Sequence, residues 1–171
     1  MTGDTAVLGS LHVVDGEGVV RMEDRFDTAI DDLWKALTEP DRLALWYGEL
    51  EGELAQGGEF RLRITLSGER TGRIDACEPP QRLLSTMRDP DRQPGQPEQT
   101  VIEANLFAEG AQTRLVWETR GMPVDLLPAY GAGIQIHVEH LADYVSGREL
   151  HIDDTRWDEL FAAYEAVGVS A

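Results

Sequence analysis

A series of short strand-like segments separated by tight turns constrains this chain more than any other feature. Between Phe60 and Leu66, apolar and polar residues alternate with the period of two that marks a half-buried strand. Asp15-Gly16, Ser67-Gly68 and Glu109-Gly110 are turn signals between such segments. Consecutive hairpins, with helical patterns grouped at the start and the end, predict an α+β fold with an antiparallel sheet.

Helical spacing begins after the first hairpin and returns near the C-terminus. Ile30, Leu33 and Leu37 predict one short helix, and Pro40 fits the first turn of a second. A long amphipathic helix is predicted from the stripe of Tyr130, Ile134, His137, Leu141 and Tyr144. Because an antiparallel sheet must cover its apolar face, this stripe is the expected cover. A strongly curved sheet is not filled completely by one helix, so we expect a cavity between them.

Charge and cysteine content exclude several classes of function. The chain carries 32 acidic and 15 basic residues, for a net charge of −17, which repels nucleic-acid phosphates and anionic membranes. Cys77 is the single cysteine, so no intramolecular disulfide is expected. The polar start of the chain predicts no secretory signal, and no segment is long and apolar enough to span a membrane. We expect one cytoplasmic domain over residues 1–171.

Several motifs, in their order along the chain, resemble the SRPBCC (START-like) superfamily. The similar branch is that of homologues of the heat-shock-protein-90 ATPase activator. The motifs are residues 21–26 and 32–46, Gly57-Gly58-Glu59-Phe60, Gly72-Arg73-Ile74, residues 78–83, Gln112-Thr113-Arg114-Leu115 and Gly131-Ala132-Gly133. The resemblance covers about residues 8–146 and leaves a helical extension at about 153–168.

The resemblance implies a helix-grip fold, like that of birch-pollen allergens. In that fold a curved antiparallel sheet wraps a long C-terminal helix and encloses a pocket for apolar small molecules. Members of the family often have Trp where this chain has Ile134, so a larger or reshaped pocket is expected here. The extra terminal helix around Trp157 lies beyond the family core.

The predicted function is a soluble protein that binds an apolar or aromatic small molecule in this cavity. The expected lining combines large apolar residues with a few polar groups that orient the ligand. The candidate ligand-binding residues are Trp46, Phe60, Ile64, Ile74, Thr86, Trp117, Tyr130, Ile134, His137 and Leu141. The alternative for each is an ordinary place in a closely packed core.

Two other functions are compatible with the sequence. An SRPBCC-type enzyme, similar to a cyclase, dehydratase or hydrolase, would use His137 and Tyr130 as acid–base groups, with Thr86 orienting the substrate. A co-chaperone-like interaction module is the third hypothesis, suggested by the family resemblance. A homodimer and a lid role for residues 88–99 are also left open.

Two histidines on the long helix are compatible with a metal site or with a solvated helix face. His137 and His140 are three residues apart, with Asp143 one turn further on, so two imidazoles can face one ion. The spacing is not that of His-Glu-x-x-His, and no second group of ligands is evident. The sequence therefore predicts neither a metal nor a cofactor.

Overall fold

One curved sheet forms the body of the protein. The computed structural model describes residues 7–65 and 67–170, and within them the sheet contains nine strands. The strands are β1 (Gly9–Val14), β2 (Glu17–Phe26), β3 (Gly48–Gly52), β4 (Glu59–Ile64), β5 (Gly68–Glu78), β6 (Arg82–Arg88), β7 (Thr100–Glu109), β8 (Gln112–Met122) and β9 (Val169–Ser170). The helices are α1 (Ile30–Thr38), α2 (Pro40–Leu43), α3 (Leu127–Val145) and α4 (Arg156–Val167), with a 3₁₀ turn at Val124–Leu126.

The strand order is β3-β4-β5-β6-β7-β8-β2-β1-β9. Every neighbouring pair is antiparallel except β1 and β9, which are parallel. The predicted α+β class and the helix-grip arrangement are confirmed. The two strands at the sheet edges, β3 and β9, were not predicted.

Helices α1 and α2 cover one end of the sheet. Leu33, Trp34 and Leu37 bury one side of α1, while Asp31 and Asp32 in its first turn complement the helix dipole. Pro40 stands in the first turn of α2, as predicted. The loop after α2 is held by a buried hydrogen bond, in which Trp46 Nε1 donates to the carbonyl oxygen of Ala36 at 2.9 Å. This hydrogen bond positions the neighbouring residue, Tyr47.

Helix α3 is buried on two faces rather than on one stripe. The face formed by Gly131, Gln135 and Val138 is fully buried and packs toward β1 and α4. The Gln135 Oε1 atom accepts hydrogen bonds from the Tyr164 hydroxyl at 2.5 Å and from the Leu8 backbone N–H at 3.0 Å. The predicted stripe therefore describes only the second face, which is turned toward the sheet interior.

The final helix, α4, packs on the back of α3. Leu160 and Tyr164 are fully buried, and Arg156 makes a bidentate ion pair with Glu139 of α3 at 2.6 and 2.9 Å. Gly168, with φ of 78°, ends α4 and turns the chain into β9. The C-terminal extension therefore contributes helix α4 to the helical layer and strand β9 to the sheet.

Two glycines of α3 provide a matched test of this packing. A Cβ at Gly131 would lie 3.1 Å from Leu11 Cδ2 and 3.1 Å from Tyr164 Cγ, whereas a Cβ at Gly133 would meet nothing within 4 Å. We expect Gly133→Ala to raise the free energy of unfolding by about 0.5–1 kcal/mol, because alanine loses less backbone entropy in a helix.

Gly131→Ala should not be stabilised in this way, because its added methyl group would overpack the contact with Leu11 and Tyr164. Its free energy of unfolding should be lower than that of Gly133→Ala by about 1 kcal/mol or more. Urea denaturation of both variants measures the difference. Equal stabilisation by the two substitutions would contradict the close approach of α3 to β1 and α4.

Candidate functional site

Two adjoining cavities lie inside the sheet, one beneath α1 and α2 and one beneath α3. The inner cavity has a volume of about 50 Å³ and the outer cavity about 140 Å³. Both are lined by Tyr47, Met87, Ile102 and Trp117, which form the partition between them.

The inner cavity is almost entirely apolar. Its walls come from α1, α2 and the inward faces of β4 to β8, with Ser85 as the one hydroxyl besides that of Tyr47. A cavity of this size and character stays dry rather than holding ordered water. Representative wall residues are Leu37, Leu43, Phe60, Ile74 and Ala104.

The outer cavity combines apolar walls with polar groups. Tyr130, Ile134 and His137 of α3 form one wall, and Trp117 and Thr119 of β8 form part of the opposite wall. Gln96, Pro97 and Gln99, from the loop between β6 and β7, close the mouth. Arg70 and Asp89 lie at the same mouth and pair at 3.3 Å.

An aromatic cluster holds the partition in place. The ring of Tyr47 stacks on Trp46 with a centroid distance of 5.1 Å. It also meets Trp117 and His137 edge to face, at 6.0 and 5.0 Å. The Trp117 Nε1–H donates to the Thr119 hydroxyl at 3.1 Å, which leaves the indole face free to contact a ligand.

This environment strongly perturbs the titration of His137. Burial, with a smaller contribution from His140, lowers the pKa of His137 to about 4, so its imidazole is neutral at pH 7. Its Nδ1 atom has no hydrogen-bond partner among the described residues. A neutral imidazole with an unpaired nitrogen is suited to hydrogen-bond a polar group of a ligand.

The two tyrosines of the outer cavity are hydrogen-bond donors at neutral pH. Burial raises the pKa of Tyr47 and of Tyr130, and the positive charge of Arg70 opposes the shift at both hydroxyls. Their phenols therefore stay protonated.

Most of the predicted site residues lie around these cavities. Trp46, Phe60, Ile74 and Trp117 line the inner cavity, and Tyr130, Ile134, His137 and Trp117 line the outer one.

Three other candidates, Ile64, Thr86 and Leu141, line neither cavity. Ile64 and Leu141 are core residues, and Thr86 points to the other side of the sheet, where its hydroxyl donates to Asp75.

Sequence reasoning missed Tyr47, Arg70 and Asp89. Tyr47 follows the predicted second helix and belongs to no periodic pattern. Arg70 did leave a signal, because its spacing of two residues from Gly72 and of four from Ile74 places it on the same inward face of β5. A charged residue at an inward position of a strand is a marker of a site.

The two histidines of α3 are not joined by a third ligand. The Asp143 carboxylate binds the Arg148 guanidinium at 3.2 Å and the His151 backbone N–H at 3.1 Å. His140 Nε2 donates to the carbonyl oxygen of His151 at 3.2 Å. Over residues 7–65 and 67–170, no group of three His, Cys, Asp or Glu side chains is arranged to hold a metal ion.

A curved sheet that grips a long helix over enclosed space defines the helix-grip class of the SRPBCC superfamily. A family model for activator of Hsp90 ATPase homolog 1-like proteins matches residues 27–146, and the chain belongs to this family. The family and the fold together support a ligand-binding domain.

Solved structures with this fold include CalU16 from Micromonospora echinospora, with 26% identity and a TM-score of 0.73 over 93% of this chain and 94% of that one. DynU16, from the dynemicin biosynthetic locus, has 25% identity and a TM-score of 0.70 over 79% of this chain and half of its own length. MLL2253 from Mesorhizobium loti is 21% identical, with a TM-score of 0.69 over 77% of this chain and 99% of that one.

No curated protein sequence matches the chain. Among the described residues, no helix combines the length and the apolar character needed to cross a membrane.

The environment of His137 predicts a dependence of stability on pH. The pKa is about 4 in the folded protein against 6.5 for an unperturbed imidazole, so the unfolded chain binds this proton more readily. The contribution of His137 is complete above pH 6.5 and is lost as the pH falls toward 4. We expect a loss of about 2 kcal/mol between pH 7 and pH 5.

Urea denaturation at pH 7 and pH 5 gives the change in the free energy of unfolding for the wild type and for His137→Gln. The difference between these two changes is due to His137, because the other groups titrate equally in both proteins. The wild type should lose about 2 kcal/mol more than the variant. A difference between the two proteins that does not change with pH would contradict a buried, neutral His137.

Proposed function

We propose that the protein binds an apolar or aromatic small molecule in the outer cavity, with its ring against Trp117 and Ile134. The observation that carries the proposal is the pairing of aromatic and apolar walls with the neutral imidazole of His137 around one cavity. Such a combination of apolar walls and few polar groups is typical of small-molecule sites.

The cavity volume limits the ligand. At about 140 Å³, the outer cavity is close to the roughly 150 Å³ of an engineered cavity that takes up benzene. A single aromatic ring therefore fits without rearrangement. A larger ligand requires the loop of residues 89–99 to move outward. This loop has three prolines and no apolar residue, and its hydrogen bonds are mostly internal.

Binding is favoured over catalysis by the protonation state of His137. An efficient general base or acid has a pKa near the working pH, and the pKa of this imidazole is about 4. Its role at neutral pH is to hydrogen-bond the ligand without taking up a proton. DynU16 belongs to a biosynthetic locus, which agrees with a small organic molecule as the kind of ligand.

Filling the outer cavity tests this proposal directly. Ile134→Trp places a large ring in the outer cavity, where members of the family often have Trp. Binding of phenol and of indole, followed by isothermal titration calorimetry, should fall at least about tenfold, because the ligand would lose the burial of its ring.

Ile136→Trp is the matched control, because Ile136 lies on the same helix but lines the separate groove beside Trp157. This variant should bind both probes as the wild type does. If neither probe binds the wild type at millimolar concentration, or if Ile134→Trp binds them unchanged, the proposed site is wrong.

A further inference from the structure

A single arginine lies on the inner surface of the sheet where the outer cavity opens. In the register of β4 and β5, Arg70 stands opposite Leu62, and Gly72 and Ile74 follow it on the same inward face. Three-quarters of the Arg70 side chain is removed from solvent. Removing a guanidinium from water at this position costs free energy unless an anionic group pairs with it.

That partner in the structure is Asp89, which holds Arg70 through one contact. Asp89 Oδ2 lies 3.3 Å from Arg70 Nη1, and Asp89 Oδ1 separately accepts a hydrogen bond from the Asp91 backbone N–H at 2.9 Å. Arg70 belongs to a strand paired on both sides, whereas Asp89 follows the end of β6, in the loop. The cation is therefore fixed by the sheet, and the anion is carried by the more easily displaced segment.

The Arg70 guanidinium keeps unused donors. Its two contacts both use Nη1, to Asp89 and to the carbonyl oxygen of Glu69 at 2.9 Å. Its Nε and Nη2 groups make no hydrogen bond to any residue of the described ranges. A carboxylate is the group that fills such a pair of donors, through two parallel hydrogen bonds.

We infer that the ligand of the outer cavity is an aromatic carboxylic acid, bound as its anion. This inference rests on the proposed function and names the chemical class of its ligand. The carboxylate binds the unused Nε and Nη2 donors of Arg70, and the ring lies between Trp117 and Ile134. Asp89 stays on Nη1 of Arg70 and on the Asp91 backbone N–H, so its negative charge weakens the binding of the ligand anion without blocking it.

The other polar groups of the outer cavity favour an anion over a cation. The protonated hydroxyls of Tyr47 and Tyr130 donate hydrogen bonds to a carboxylate, whereas an ammonium group would need acceptors and would lie beside Arg70. A ligand amine has Asp89 as its one carboxylate partner in the lining, and Asp89 is already occupied.

Three probes of nearly the same shape separate the contributions. Phenylacetate carries an anion, phenylacetamide is neutral, and phenethylamine carries a cation. Calorimetry at about 0.15 M salt, where the repulsion by the net negative charge is screened, should show phenylacetate binding about tenfold more tightly than phenylacetamide, since a charge-assisted pair replaces a neutral one. Phenethylamine should bind most weakly.

Substitutions at Arg70 and Asp89 test whether these two residues determine the preference for phenylacetate. Arg70→Gln should remove the preference for phenylacetate and leave phenylacetamide binding within about twofold, while Asp89→Asn should tighten phenylacetate binding severalfold because it removes the competing anion. Arg73→Gln is the matched control, because Arg73 lies on the outer face of the same strand, where it binds Asp75. It should behave as the wild type.

The outcomes distinguish the two proposals. Equal binding of the three probes, or tightest binding of the amine, would overturn the inference about Arg70 and leave the cavity proposal intact. Failure of all three probes, together with phenol and indole, would overturn both. Retention of the phenylacetate preference in Arg70→Gln would also overturn the assignment of the anion site.

Discussion

The close contact of α3 with β1 and α4 is the constraint on which the rest of the site depends. Gly131 lets the helix approach Leu11 and Tyr164, and the Tyr164–Gln135 hydrogen bond fixes the helix at that distance. A helix anchored so firmly on one face is not free to settle into the sheet on the other. The space under Tyr130, Ile134 and His137 follows from this geometry, because the residues on that face do not reach the opposite wall.

The second support of the site is the buried hydrogen bond of Trp46. It ties the loop after α2 to α1 and thereby places Tyr47 between the inner and outer cavities. A polar loop residue in this position would open one continuous space, whereas the Tyr47 ring closes the inner apolar cavity. The ring contacts of Tyr47 with Trp46, Trp117 and His137 then make the partition rigid.

Much of the fold was predictable because burial has a period that the sequence displays. Strand β4 alternates without a break, and the inward face of β8 carries Leu115 and Trp117. The edge strand β3 was missed because most of its residues are exposed and its sequence shows no apolar alternation. Strand β9 has two residues, too few for any periodicity. The register that brings Arg70 beside Asp89 depends on pairing across strands, which no local pattern reveals.

The candidate site was predictable only in its apolar part. Residues such as Ile74 and Trp117 serve both as core and as cavity wall, so hydrophobicity identifies the set but does not say where packing stops. The polar part of the site could not be predicted from hydrophobicity. Burying a polar group costs free energy unless the group has a hydrogen-bond or charge partner or keeps contact with water. His137 meets this cost by staying neutral, and Arg70 meets it through Asp89. The two groups have different consequences for binding. A neutral imidazole accepts many polar partners, whereas the proposed anion site relies on a guanidinium fixed on the sheet, which discriminates by charge.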